Sequence, residues 1–158
     1  MRTVDGSNRN RALKFAVVVS RYHDFVTEKL EAGAVAALVA AGVADDHVTL
    51  VRVPGAFELP IAARHAAETG EFAAIVCLGC LIRGATPHFE YIAAAVAHGL
   101  TSAAADTGVP ITFGVLTTNS VEEALERAAA GPSNKGWEAA TAAIDMAGVV
   151  ATLVERVE

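Results

Sequence analysis

The chain has 158 residues, the length of one domain. Hydrophobic residues make up 53% and charged residues 19%, with mean hydropathy +0.41. A disordered chain is excluded, since it could not bury enough apolar surface to offset its ordering entropy. Twelve basic residues against 18 acidic ones give a net charge of −6 with no basic stripe, which argues against nucleic acid as a partner.

Two cysteines, Cys77 and Cys80, are too few for a disulfide-built scaffold. The greasiest stretch, Ala73–Leu81, is half the length a bilayer needs, and Arg83 follows it closely. No basic region followed by an apolar stretch opens the chain. A cytoplasmic location with no membrane partner is therefore expected. The chain is rich in Ala, and its apolar character suggests surface covered by another subunit.

Residues 1–12 are polar and stand apart as an N-terminal segment, a tail or an edge strand lent to a neighbour. Phe15–Ser20 is a β-branched run that reads as a buried strand. A helix is expected over Phe25–Ala41, with Phe25, Val26, Lys29, Leu30, Gly33, Ala34 and Ala37 on its stripe and Gly42 at its end. Val48–Val53 alternates as a second strand, broken by Pro54-Gly55, and Glu58–Thr69 is a helix. Ala73–Cys80 is apolar throughout and so reads as a central strand. A long helix over Phe89–Asp106 carries Phe89, Ile92, Ala93, Val96, Ala97 and Leu100 on one stripe. Ile111–Leu116 is a fourth strand. The capping box Ser120-Val-Glu-Glu123 starts a helix over Val121–Ala130. Gly131-Pro-Ser-Asn134 is a turn, and a last helix runs from about Gly136 to Arg156.

Strands and helices alternate, which demands a parallel sheet with right-handed crossovers and helices on both faces. Residues 13–158 are expected to form one such domain. Ligands bind such sheets outside the carboxyl ends of the strands. The segments of interest are therefore Arg21–Asp24, Pro54–Glu58, Leu81–His88 and Thr117–Ser120.

The segment from Gly79 to Thr86 nearly matches the phosphate-binding pattern G-x-x-x-x-G-K-[ST], but Ala85 replaces its Lys. Metal-dependent nucleotide hydrolysis is not expected. What remains is either a turn that holds a phosphate without metal, through backbone N–H groups and the Thr86 hydroxyl, or an ordinary strand-to-helix turn. His88 beside it is a proton shuttle or a plain helix-start histidine. Cys77-Leu-Gly-Cys80 formally reads C-x-x-C, yet residues i and i+3 of a strand point to opposite faces. A redox dithiol or a metal site is not expected there. Glu58 could accept bonds from a polyol or serve as a first-turn acid. Tyr22 is an exposed stacking candidate. Arg127 flanks the Val121, Ala124, Leu125 and Ala128 stripe like a surface arginine, and Phe113 reads as core.

Taken together the segments resemble the lumazine synthase family of riboflavin biosynthesis, from about Leu13 to Met146. The pieces are Ser20-Arg-Tyr-His-Asp-Phe25, Val53-Pro-Gly-Ala-Phe-Glu-Leu-Pro60, Leu78-Gly79 with Ile82-Arg-Gly-Ala-Thr-Pro-His-Phe89, Thr112–Thr118, Glu126-Arg127 and Asn134-Lys-Gly136. The resemblance implies a flavodoxin-like three-layer sandwich with a central four-stranded parallel sheet. It implies a cofactor-free condensation of 5-amino-6-(D-ribitylamino)uracil with 3,4-dihydroxy-2-butanone 4-phosphate.

Residue by residue, the resemblance makes Tyr22 the stacking aromatic and gives Ala56, Phe57 and Glu58 to the ribityl chain. It gives Cys80, Leu81 and Ile82 to the uracil and ribityl, and Ala85 and Thr86 to the phosphate. His88 becomes the proton shuttle. Phe113 closes the pocket, Arg127 pairs with the phosphate and Lys135 lies near the heterocycle, these three from the adjacent subunit. Tyr22 stands where Phe or Trp is usual, and Cys80 where Thr, Gly or Ala is common. A homo-oligomer is implied, a pentamer or a shell of twelve pentamers, and an association with riboflavin synthase. The competing readings are a catalytically silent phosphate-binding module, a receiver-type domain, for which Ser20 and Arg21 stand where acids are needed, and a shell protein.

Overall fold

The computed structural model describes residues 1–7 and 12–155. Its strands are β1 (Phe15–Ser20), β2 (Val48–Val53), β3 (Ala74–Ile82) and β4 (Ile111–Thr118), all parallel, in the order β2-β1-β3-β4. Its helices are α1 (Asp24–Ala40), α2 (Leu59–Glu68), α3 (His88–Thr107), α4 (Val121–Arg127) and α5 (Lys135–Val154). The expected three-layer α/β sandwich is present.

The two inner strands, β1 and β3, explain why their sequences run apolar without alternation: both faces are covered. Val17 and Val19 pack with α1, α4 and α5, whereas Ala16 and Val18 pack with α2 and α3. Phe15, Leu30, Leu38, Leu59, Ile75 and Leu78 are fully buried, each such side chain contributing about 1.5–3 kcal/mol over an exposed one. Cys77 and Cys80 join opposite cores, as the strand geometry requires.

Small residues set the helix spacing. A Cβ on Gly136 would collide with the Leu30 carbonyl, and one on Gly33 with the Asn134 amide, so α1 and α5 approach closely. One on Gly99 of α3 would come 2.8 Å from Pro60 of α2. By length and composition α5 could cross a membrane. Here it is a core helix, with Ala139, Ala140, Ala143 and Ala147 buried along one side.

Several expected boundaries shift. β3 and β4 each run two residues further, so Leu81, Ile82, Thr117 and Thr118 belong to strands. α1 begins at Asp24, and Thr27 and Leu38 fill its buried face, while Phe25 and Lys29 are exposed. Of the α3 stripe only Val96 and Leu100 are fully buried. Phe89 and Ile92 border a cleft and are half-buried, as is Ala93, and Ala97 is exposed. α4 stops at Arg127 rather than Ala130, because the Ala128 carbonyl accepts from the Asn134 amide (2.9 Å) and Gly131 turns the chain at φ +116°. Ala124 and Ala128 are buried there, but Val121 and Leu125 are exposed.

The expected Arg156 end of the last helix lies outside the described residues, as do residues 8–11 of the N-terminal segment. Gly6 is buried against the Asp145 backbone of α5.

Candidate active site

All the loops of interest gather at the carboxyl ends of the strands. The β1 exit is tied to the β2 exit: Arg21 N–H donates to the Val53 carbonyl (2.8 Å) and Tyr22 N–H to the Pro54 carbonyl (3.0 Å). After β2, Ala56–Glu58 forms a single 3-10 turn that leads into α2. The β3 exit is tied to β4 by Arg83 N–H donating to the Thr118 carbonyl (2.8 Å). These links hold the strand ends together around a cleft.

The larger cleft is about 750 Å3. Tyr22 and Phe57 stand on its wall, 67% and 61% exposed, which is unusual for aromatic rings unless something covers them. Ala56, Cys80, Leu81 and Ile82 line it from the strand ends, and Thr86 and His88 line it from the 84–87 loop and the first residue of α3. Glu58 and Ala85 lie outside the lining: Glu58 is half-buried beside Gly55, and Ala85 is exposed on the loop.

His23, which pattern reading passed over, also lines this cleft. It is the only non-glycine residue with positive φ among the described residues (φ 60°, ψ 47°). Its ring meets Tyr22 edge-on with centroids 4.4 Å apart, and Phe25 at 5.7 Å. Burial lowers its pKa from the ordinary imidazole value, so His23 is uncharged at neutral pH. The signal was the three-residue link between β1 and α1, which makes the chain reverse in a left-handed turn just before the helix.

The smaller cleft, about 350 Å3, lies between β4 and the start of α5. Phe113, Arg127 and Lys135 line it, and no residue lines both clefts. Phe113 is 47% exposed, which corrects its reading as core. β4 is an edge strand, and this ring faces the open groove rather than a helix. Lys135 Nζ donates to Glu138 Oε2 at 2.8 Å. Arg127 has no ion-pair partner among the described residues, leaving its guanidinium available to an anion.

Burial pushes the Cys80 thiol up to about 11 and raises that of Cys77 as well, so neither is a thiolate nucleophile at neutral pH.

A family model for 6,7-dimethyl-8-ribityllumazine synthase matches residues 12–151. The chain belongs to the lumazine synthase family. Relatives named 6,7-dimethyl-8-ribityllumazine synthase include one from Syntrophus aciditrophicus (strain SB), 51% identical over 136 residues, or 86% of this chain and 88% of the relative. Another, from Desulfosudis oleivorans (strain DSM 6200 / JCM 39069 / Hxd3), is 50% identical over 136 residues, covering 86% and 87%. The span of the family match, residues 12–151, takes in the residues that line the two clefts.

Proposed function

We propose that this chain is a transferase that condenses 5-amino-6-(D-ribitylamino)uracil with 3,4-dihydroxy-2-butanone 4-phosphate, giving 6,7-dimethyl-8-ribityllumazine, phosphate and water. Membership of the lumazine synthase family carries that reading. The arrangement of the larger cleft supports it: exposed aromatic rings for a flat heterocycle, strand-end residues for a polyol, and a hydroxyl and an imidazole in the same lining.

The uracil ring stacks on Tyr22, and Ala56, Phe57 and Glu58 hold the ribityl chain, with Cys80, Leu81 and Ile82 contacting both. Ala85 and Thr86 receive the phosphate. The substrate amine attacks the ketone and forms an imine with loss of water. Phosphate then leaves, and the second nitrogen closes the ring with loss of a second water. His88 moves protons in these steps, and the rest of the rate gain comes from holding two reactants together. No cofactor enters this scheme.

The site is completed by a neighbouring subunit. Phe113, Arg127 and Lys135 line a different cleft from His88, so within one chain the phosphate cation and the proton shuttle are apart. Cyclic association lets one chain's smaller cleft face the next chain's larger one. The reading is a cytoplasmic pentamer, and the short turn over residues 130–134 leaves room for pentamers to close into a sixty-chain shell. This reading gives residues 13–158 to the enzyme domain. Association with riboflavin synthase is proposed from the family's place in biosynthesis alone. Incubating the purified protein with both substrates should give the fluorescent lumazine. No product above the uncatalysed rate would refute the reading.

A further inference from the structure

Arg83 has no part in the scheme above, yet its side chain joins three elements next to the proposed phosphate loop. Nε donates to Asn119 Oδ1 at 3.0 Å. A terminal nitrogen donates to the Glu90 carboxylate. The guanidinium carbon lies 4.6 Å above the Phe89 ring centroid. Asn119 is itself anchored, its N–H donating to Glu123 Oε2 at 2.9 Å. One planar cation thus connects the β3 exit, the first turn of α3 and the link from β4 to α4. An arginine suits this position because its fork and its flat face act at once, which an ammonium cannot do.

The loop that Arg83 brackets has little else to hold it. Residues 84–87 are all exposed, and their hydrogen bonding among the described residues is the Pro87 carbonyl accepting from Tyr91 N–H at 3.4 Å. We propose that Arg83 is a positioning residue that sets the 84–87 loop for the phosphate of the four-carbon substrate without touching that phosphate. The proposal rests on the reading of Ala85 and Thr86 as the phosphate loop. Glu90 already pairs with the guanidinium, and its carboxylate would repel a dianion brought against that pair. Both side chains are about half exposed, so the pair adds little to global stability. Its effect is local: it reduces the freedom the loop would otherwise lose on binding.

Steady-state kinetics of Arg83→Ala and Glu90→Gln, varying each substrate in turn, test this. In both variants the KM for the butanone phosphate rises about tenfold. The KM for the ribitylaminouracil and the Tm stay at parental values. Glu90→Gln separates positioning from direct contact. If Arg83 bound the phosphate, freeing it from Glu90 would leave that KM unchanged or lower it, and either result overturns the proposal. Equal rises in both KM values together with a lowered Tm also overturn it, by reducing Arg83 to a structural role. Thr86→Ala tests the underlying reading. If it leaves the KM for the butanone phosphate unaltered, the loop is not the phosphate site and the assignment itself fails. If Thr86→Ala raises that KM and Arg83→Ala does not, only the positioning role fails.

Discussion

Arg127 ends α4 with an exposed guanidinium in a chain of net charge −6, where the overall field repels a phosphate dianion. Loop N–H groups cannot replace its bidentate, charge-assisted bonds. Arg127→Ala is expected to lower kcat/KM by roughly a hundredfold or more. Unchanged kinetics would remove Arg127 from the site. His88 works differently. General acid–base transfer by one side chain contributes about 10²–10⁴-fold, and this condensation is feasible in water. His88→Ala should lose about ten- to a hundredfold in kcat while still binding a ribityl-pyrimidine analogue, and loss of that binding would mean His88 is structural. Single residues were unevenly legible in the sequence. Tyr22 reads as exposed from its place at a strand end, and it is. Phe113 read as core because an aromatic in a strand usually is, and no local pattern tells an edge strand's open groove from a covered face. His23 and Arg83 escaped because their roles depend on partners distant in the chain, such as Asn119, or on a backbone angle.

Asn134 shows how an element depends on one side chain. It is fully buried, and its carbonyl oxygen accepts from Gly136 N–H (2.8 Å) and Trp137 N–H (3.1 Å), capping α5. Its amide donates to the Lys29 carbonyl of α1 (3.2 Å) and the Ala128 carbonyl (2.9 Å), closing off α4. Asn134→Ala removes four bonds and leaves buried groups unpaired, at a cost of about 3 kcal/mol, or a Tm drop of about 6–12 °C for a domain of this size. A drop below about 2 °C in a thermal melt would show that the cap is dispensable. The same residue explains an error of boundary. The sequence pattern carries α4 to Ala130, since Ala128, Ala129 and Ala130 are all good helix formers. The bond from the Asn134 side chain to the Ala128 carbonyl stops it three residues earlier, and no propensity records that bond. The number, order and type of strands and α-helices were readable, because apolar runs and caps are local. The phase of α1 was not, because the left-handed turn at His23 starts it at Asp24.

At the scale of the whole molecule, large apolar side chains stand exposed on several elements outside the clefts. Leu50 on edge strand β2, Ile61 on α2, Tyr91 on α3 and Met146 on α5 are all exposed, besides the cleft aromatics. Light scattering should therefore find no free monomer of 16.3 kDa at micromolar concentration. A pentamer would be about 80 kDa and the closed shell about 1 MDa. A monomeric active enzyme would contradict the shared site. Complementation between two crippled variants tests that claim most directly. Arg127→Ala and His88→Ala are each impaired, but each keeps the group the other lacks. Dissociated, mixed in equal amounts and reassembled, they should form sites in which one chain supplies His88 and its neighbour supplies Arg127. Random mixing makes about a quarter of all sites intact, so activity should climb to about a quarter of the parent's. Activity that stays at the average of the two variants would place both residues of each working site on one chain and contradict the account.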